Sequence, residues 1–341
     1  MDPEAAGPAI VVVGCLTIDS VVGASGELIR NACGGNVLYA AAGAHVWEPR
    51  VGMVARVGEG YPGACLDAIG ARVDTAGIRR IDGAHPIRVA FAYRDDGSRT
   101  RTIPADALAR IPAAIRGDFI DTTRDDERYL AATPTPDDVP ARWLEGVAAF
   151  HLPALLESSL RRLVAAIRAA RPDALITVDA PWFSRRDGSL SSDLGWLADV
   201  DAVLPSEEEL VAYQPGVPLI EAARGLVQAG ARAVGVKVGS RGSIVVDADG
   251  RLTHVPAYPA DVADPTGAGD SFCGGFLAGL RETGDLVRAA AYGTVAASFV
   301  VEERAAIPVL AVTRRQAERR LPIVEAGVRS GIVSDEDWRS H

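Results

Sequence analysis

The stretch Asp264-Pro-Thr-Gly-Ala-Gly-Asp270, followed at once by Ser271-Phe-Cys-Gly-Gly-Phe-Leu-Ala-Gly-Leu280, decides how this chain is read. Gly267 and Gly269 let the backbone turn sharply, so that consecutive N–H groups point one way where the apolar run opens a helix. Unpaired donors and the positive end of the helix dipole make that turn an anion cradle. A carboxylate there does not bind the anion, so Asp270 is placed to take a proton beside it. Cradle plus base suggests phosphoryl transfer to a hydroxyl. Taken alone, the same residues also suit an ordinary strand-to-helix turn with Asp270 as an electrostatic cap.

Outward from this stretch, Ala9–Gly14, Ala174–Asp179, Ala202–Pro205 and Ala233–Val238 are short apolar runs rich in β-branched residues. They read as buried strands of a mostly parallel sheet. Helical spacing over Leu155–Ala170, Glu207–Tyr213, Leu219–Ala229 and Asp285–Val301 alternates with them. This pattern predicts right-handed βαβ units in a layered α/β domain, with ligands at the C-terminal ends of the strands. Thr17–Ile29 and Ile87–Ile103 break the rhythm as strand-like segments, with Asp95-Asp-Gly-Ser98 a hairpin signal. Arg116–Arg128 is charged and reads as a surface excursion, Thr313–Gly327 as an amphipathic helix, and Ser334–His341 as a frayed tail.

Of 341 residues 48% are hydrophobic, enough for one large α/β core or two smaller ones. The formal charge is −10, Lys237 is the only lysine, and no basic cluster forms a nucleic-acid footprint. Phosphate would be held by backbone amides, metal and single arginines, and nucleic acid is not an expected partner. Cys15, Cys33, Cys65 and Cys273 are far apart, with no Cys-x-x-Cys spacing, and read as free thiols in a reducing cytoplasm. The acidic first residues and the lack of a membrane-length apolar run predict a soluble cytoplasmic protein without membrane partners.

Further blocks are Gly14-Cys-Leu-Thr-Ile-Asp19, Cys33-Gly-Gly-Asn36, Ala55-Arg-Val-Gly58, Leu204-Pro-Ser-Glu-Glu-Glu-Leu210 and Lys237-Val-Gly-Ser-Arg-Gly242. With these in order, the chain resembles the ribokinase-like, or PfkB, family of carbohydrate kinases. That family's signature has the form Asp-x-Thr-Gly-Ala-Gly-Asp-x-Phe, and the likeness runs to about Pro308. The resemblance implies a ribokinase-like layered α/β/α domain over residues 1–312, with a discontinuous β lid from about 16–33 and 85–104. Residues 313–341 remain as a C-terminal helix and tail.

The resemblance also implies roles. Asp270 would be the general base, with Gly267, Ala268 and Gly269 stabilising the transferred group. Lys237, Gly239, Ser240, Arg241 and Gly242 would lie against ATP. Glu209 would organise Mg2+ through water, and Ser206 stands where the family usually has Asn. Ser206 equally suits a helix cap with Glu207–Glu209 in its first turn. Asp19, Gly34, Gly35 and Asn36 would bind sugar hydroxyls; by themselves they also suit a surface turn and a helix-entry loop. Asp264 and Thr266 resemble a monovalent-cation site, for potassium, although Val300–Pro308 lacks the glycine that usually completes it.

Where many relatives read Gly-Gly-Lys-Gly, this chain has Gly-Gly-Asn-Val, which disfavours a phosphorylated sugar unless Arg56, Arg88, Arg94, Arg99 or Arg101 compensates. The expected function is an ATP-dependent kinase acting on a hydroxymethyl group of a sugar or sugar-containing small molecule. The alternatives are a nucleoside kinase, with Phe91, Tyr93, Trp182 or Phe183 stacking on a base, and a catalytically silent sensor. Lid strands with an open edge would allow a homodimer.

Overall fold

Runs of β-branched residues with few polar side chains form strands where both faces are covered, and such runs make the centre of a ten-stranded sheet whose edge strands are more polar. The computed structural model describes residues 7–94, 99–180 and 193–332. The Asp95–Ser98 turn, Trp182, Phe183 and the 334–341 tail lie outside the described residues. In chain order the strands are β1 (Ile10–Val13), β2 (Thr17–Val22), β3 (Leu28–Gly34), β4 (Val51–Glu59), β5 (Asp74–Ala84), β6 (Arg88–Tyr93) and β7 (Arg99–Thr100). They continue as β8 (Ala149–Leu152), β9 (Leu175–Asp179), β10 (Ala202–Leu204), β11 (Val234–Lys237), β12 (Ser243–Val246), β13 (Leu252–Val255) and β14 (Arg329–Ile332).

The large sheet has the order β14-β13-β12-β11-β10-β9-β8-β1-β4-β5. From β11 to β5 every pair is parallel, and β12, β13 and β14 are added antiparallel. Apolar clusters cover both its faces. The expected α/β architecture is therefore present, with a separate four-stranded sheet of order β3-β2-β6-β7 as the lid.

Three helices set the geometry of the site. The helix Asn36–His45 crosses the signature helix Ala268–Thr283 at backbone contact, and Leu286–Val301 packs behind it. A Cβ on Gly274 would stand 1.8 Å from the Ala40 carbonyl oxygen, and one on Gly43 2.0 Å from that of Ser271. Only glycine permits this approach, which brings residues 36–39 beside the turn at Gly267.

Three readings of the sequence need revision. Cys33 and Cys65 form a disulfide, so only Cys15 and Cys273 are free, and both are buried. The pairing is tertiary: β3 ends beside the helix Gly63–Gly70 although 32 positions separate the two cysteines. The 116–128 stretch is more than a surface excursion, because the buried Thr122 hydroxyl accepts the Arg88 N–H (2.8 Å) and donates to the Pro86 carbonyl (2.9 Å) at the base of the lid. Residues beyond Pro308 are integrated into the domain. The helix Arg314–Glu325 packs on Leu286–Val301, and β14 lengthens the main sheet.

Candidate active site

The signature turn forms the cradle its glycines predict. Gly267 caps the helix Ala268–Thr283 in the left-handed region (φ 78°), and a side chain there would strike the Tyr39 ring at 2.1 Å. The Ala268 N–H is taken up by the Pro265 carbonyl (3.2 Å) and closes the turn. Among the described residues the N–H groups of Gly267, Gly269 and Asp270 have no backbone acceptor, so they are the donors left for an anion. The turn is braced from behind, where the N–H groups of Ala263 and Asp264 both donate to the Val301 carbonyl (2.7 and 3.0 Å).

Two cavities meet at this turn. One, of about 430 Å³, is lined by Asp179, Ser206, Glu209, Lys237, Gly269 and Asp270, with Glu207 and Glu208 at its rim. The other, of about 440 Å³, is mainly apolar and includes Tyr258, Phe272, Thr294, Ala297 and Val301. Lys237, Gly239 and Gly269 line both. Ser240 and Gly242 line the apolar one, and Gly242 (φ 97°) would carry a Cβ only 2.1 Å from the Val255 carbonyl oxygen. The Thr294 hydroxyl is buried without a partner and lines the apolar cavity, a feature suited to the polar edge of a planar ligand. A charged compartment joined to an apolar one matches a nucleoside triphosphate.

Inside the charged cavity, the Lys237 ammonium donates to Asp179 Oδ1 (2.7 Å) and lies 3.5 Å from the Cys273 sulfur. Burial opposes its charge, but the carboxylates of Asp179 and Glu209 outweigh burial and hold it protonated. Burial pushes Asp179 up to about 6, against the pull of Lys237. It pushes Asp270 up to about 8, and the nearby Asp179 charge adds to the effect. His151 beneath them is held neutral, with burial taking it down to about 3, and its Nδ1 bonds to the Thr177 hydroxyl (2.9 Å). Asp270 is therefore a carboxyl that holds its proton up to about pH 8 and exchanges it there.

Several expected residues have local partners. Ser206 and Glu209 form a capping box: Glu209 Oε2 accepts the Ser206 N–H (2.7 Å) and the Ser206 hydroxyl accepts the Glu209 N–H (3.2 Å). Both still line the charged cavity. The Arg241 guanidinium pairs with Glu207, and its carbonyl accepts from His254 (2.7 Å). The Asn36 amide accepts the Cys15 N–H and donates to the Ala154 carbonyl (2.9 Å each). It joins the end of β1 to the loop after β8, and so fixes that loop. Asp264 likewise has both carboxylate oxygens bonded, Oδ1 to the Thr266 N–H (2.9 Å) and Oδ2 to the Tyr93 hydroxyl. Each oxygen keeps a further lone pair, so these two bonds fix the orientation of the carboxylate.

At the acceptor end, Asp19 on β2 accepts the Thr17 hydroxyl (2.5 Å) and faces Gly34, where a Cβ would stand 2.1 Å from its carboxylate. Gly35 (φ 113°) turns the chain into the helix Asn36–His45, with its Cα hydrogen against the Cys15 carbonyl. The Tyr61 hydroxyl, buried and without a partner, lies in the field of Asp19. His85 is a neutral imidazole, taken down to about 4 by burial; its Nδ1 accepts the Gly58 N–H, which leaves Nε2–H for the Leu16 carbonyl. Arg56 is paired with Asp138 (2.7 Å), and Arg88 with Asn31 and Asp118, so neither is an uncommitted phosphate ligand.

The sequence reading missed Asp179 and Tyr39 as site residues, and offered Tyr93 only as a ring to stack on a base, not as a partner of Asp264. Asp179 carried a usable signal, because it ends a predicted parallel strand at the side where ligands bind. The tyrosine contacts carried none, since they depend on how helix and lid meet the cradle.

Comparison with known proteins agrees with this geometry. The family model for pfkB family carbohydrate kinases matches residues 119–312, more than half of the chain. A cytidine kinase of Thermococcus kodakarensis is 27% identical over 277 residues, covering 79% of this chain and 87% of that protein. The fold superposes on Arabidopsis thaliana ribokinase complexed with ribose and ATP (TM-score 0.68, 21% identity), over 93% of this chain and 99% of that one. It also superposes on a Burkholderia thailandensis nucleoside kinase in complex with inosine, with TM-score 0.68 and 16% identity over 95% and 100% of the two chains.

Proposed function

The chain belongs to the pfkB family of carbohydrate kinases and is an ATP-dependent phosphotransferase acting on a hydroxyl group, and from that premise we propose that Asp270 is its general base and a hydroxymethyl group its acceptor. As the carboxylate, Asp270 takes the acceptor proton while the acceptor oxygen bonds to the γ-phosphorus and the bond to the bridging β-oxygen breaks, releasing ADP. The amides of Gly267, Gly269 and Asp270 stabilise charge on the transferred group, and Ala268 instead closes the turn that aims them. Among the described residues no group of three His, Cys, Asp or Glu side chains could hold a metal ion, so magnesium would be held by the phosphates and water, with Glu209 in the charged cavity placing those waters, and would offset phosphate charge there. Positioning and electrostatics supply the rate. The observation that carries this reading is that Gly269 lines both cavities and Asp270 the charged one, so base and cradle stand where the triphosphate must end.

Asp19, with Gly34 and Gly35 leaving room around it, is the group we assign to acceptor hydroxyls, through charge-assisted bonds. A sugar is the first reading. A ribonucleoside is the second, favoured by the similarity to cytidine kinase and by the edge-on pair of Phe91 and Tyr93 in the lid (ring centroids 5.7 Å apart). Potassium would be held next to Asp264 and Thr266, with the Asp264 carboxylate oriented by the Thr266 N–H and the Tyr93 hydroxyl, and no step is assigned to it. A second copy of the chain would pair along β3, the lid edge that exposes Leu28 and Ile29. Among the described residues no helix is long and apolar enough to cross a membrane. Use of ATP favours the cytoplasm, while the Cys33–Cys65 bond argues for an oxidising setting.

The test is ADP release with ATP and Mg2+ over a panel of free sugars, sugar phosphates and nucleosides, with and without potassium. Acceptor-dependent ADP with one class identifies the substrate. ATP binding with no turnover across the panel would instead favour the sensor reading.

A further inference from the structure

Asp264 is held from two sides of the site. Its Oδ1 takes the Thr266 N–H within the cradle turn, and its Oδ2 takes the hydroxyl of Tyr93, 171 positions away at the end of lid strand β6. We propose that Tyr93 is a positioning residue that latches the closed lid onto the cradle, so that acceptor binding and phosphate geometry are coupled through one buried carboxylate. The inference rests on the kinase reading above and adds a coupling that the reading does not contain.

Three observations support the latch. First, Asp264 is only 6% exposed, so a hydroxyl donating to its charge acts in a dry setting, where such bonds are strong. Second, β6 runs beside β2 with Val89 opposite Asp19, so the same pair of strands carries the acceptor carboxylate and, four residues further on, the latch. A lid drawn in by contacts to Asp19 necessarily carries Tyr93 towards Asp264. Third, the cradle is gripped at the same place from below: the Tyr39 ring lies against Gly267, and its hydroxyl lies in the field of Asp19, Asp264, Asp270 and Tyr93. Asp19, Asp264, Asp270 and Tyr93 thus all stand near the Tyr39 hydroxyl. Opening the Tyr93 bond frees one oxygen of Asp264 and loosens the turn that it braces through Thr266. Water then has access to a less ordered γ-phosphoryl group.

Tyr93→Phe removes the hydroxyl and keeps the ring against Phe91. We expect the KM for the acceptor to rise about tenfold, the worth of one hydrogen bond to a charged group. ATP hydrolysed per acceptor phosphorylated should rise with it, while ATP affinity without acceptor stays at the wild-type level. An unchanged KM and hydrolysis ratio would overturn the latch. So would a loss of ATP affinity equal to the loss for the acceptor, which would mark Tyr93 as a packing residue. If the wild type phosphorylates no acceptor, the kinase reading fails separately, and the latch is read from hydrogen exchange. Tyr93→Phe should then speed amide exchange in residues 88–93 and 266–270 together, and an effect confined to one segment overturns it.

Discussion

The two ends of the site are built differently. The nucleotide end comes from nearly continuous chain: the Lys237–Gly242 loop, the cradle at residues 264–270 and the helix Leu286–Val301 follow one another in sequence. The acceptor end is assembled from distant pieces: Asp19, Gly34, Tyr39, Tyr61, Tyr93 and, across the gap, Asp264. The first is held by backbone geometry fixed at glycines, and the second by side chains that meet only when the lid packs down. The difference teaches that phosphate chemistry can be carried as a local motif, whereas choice of acceptor is a tertiary property.

The sharpest way to break the comparison is Asp270→Asn at the join of the two ends. Turnover should fall by about a thousandfold or more, with ATP affinity retained. The same substitution should stabilise the fold. A carboxyl raised to about 8 binds its proton more tightly folded than unfolded, so stability falls as pH rises from the unfolded carboxylate range through 8. Asn removes that slope, and the melting temperature of the variant should exceed wild type most at alkaline pH. For the free wild-type enzyme, kcat/KM should climb as pH rises through about 8, as the base loses its proton.

Next in size is the nucleotide end's buried pair. Lys237→Met leaves Asp179 without its cation at 5% side-chain exposure and should cost about 3–5 kcal/mol in urea denaturation. Lys237→Arg should not restore function, since a planar guanidinium does not fit the compact place between Asp179 and Cys273 that an ammonium occupies.

The acceptor end gives the smallest effect on stability. Cys65→Ser opens the bond that ties the end of β3, next to Gly34, to the helix Gly63–Gly70, and should cost about 3 kcal/mol. If the two ends are as separate as their construction suggests, acceptor KM rises and ATP affinity does not move. An equal loss at both ends would dissolve the distinction.

Much of the nucleotide end was legible from residues alone. Gly267 and Gly269 before an apolar helical run specify the cradle, because positive φ and free first-turn amides are local facts. The strands at β1, β9, β10 and β11 were readable for a similar reason: unbroken β-branched runs need cover on both faces. Ser206 and Glu209 were ambiguous between cap and metal organiser. The structure explains why, since the same pair forms the capping box and lines the charged cavity.

The sequence by itself determined the α/β alternation and the glycine turn that opens the signature helix, and with that turn the proposal of a cradle and a base, because each depends on neighbours within a few residues. Only the tertiary structure decided that Cys33 meets Cys65, that Lys237 meets Asp179, that the Asn36 amide is engaged, and that Tyr93 reaches Asp264. These contacts close loops of tens to hundreds of residues. Their partners are chosen by how whole layers pack, and no local propensity encodes that choice.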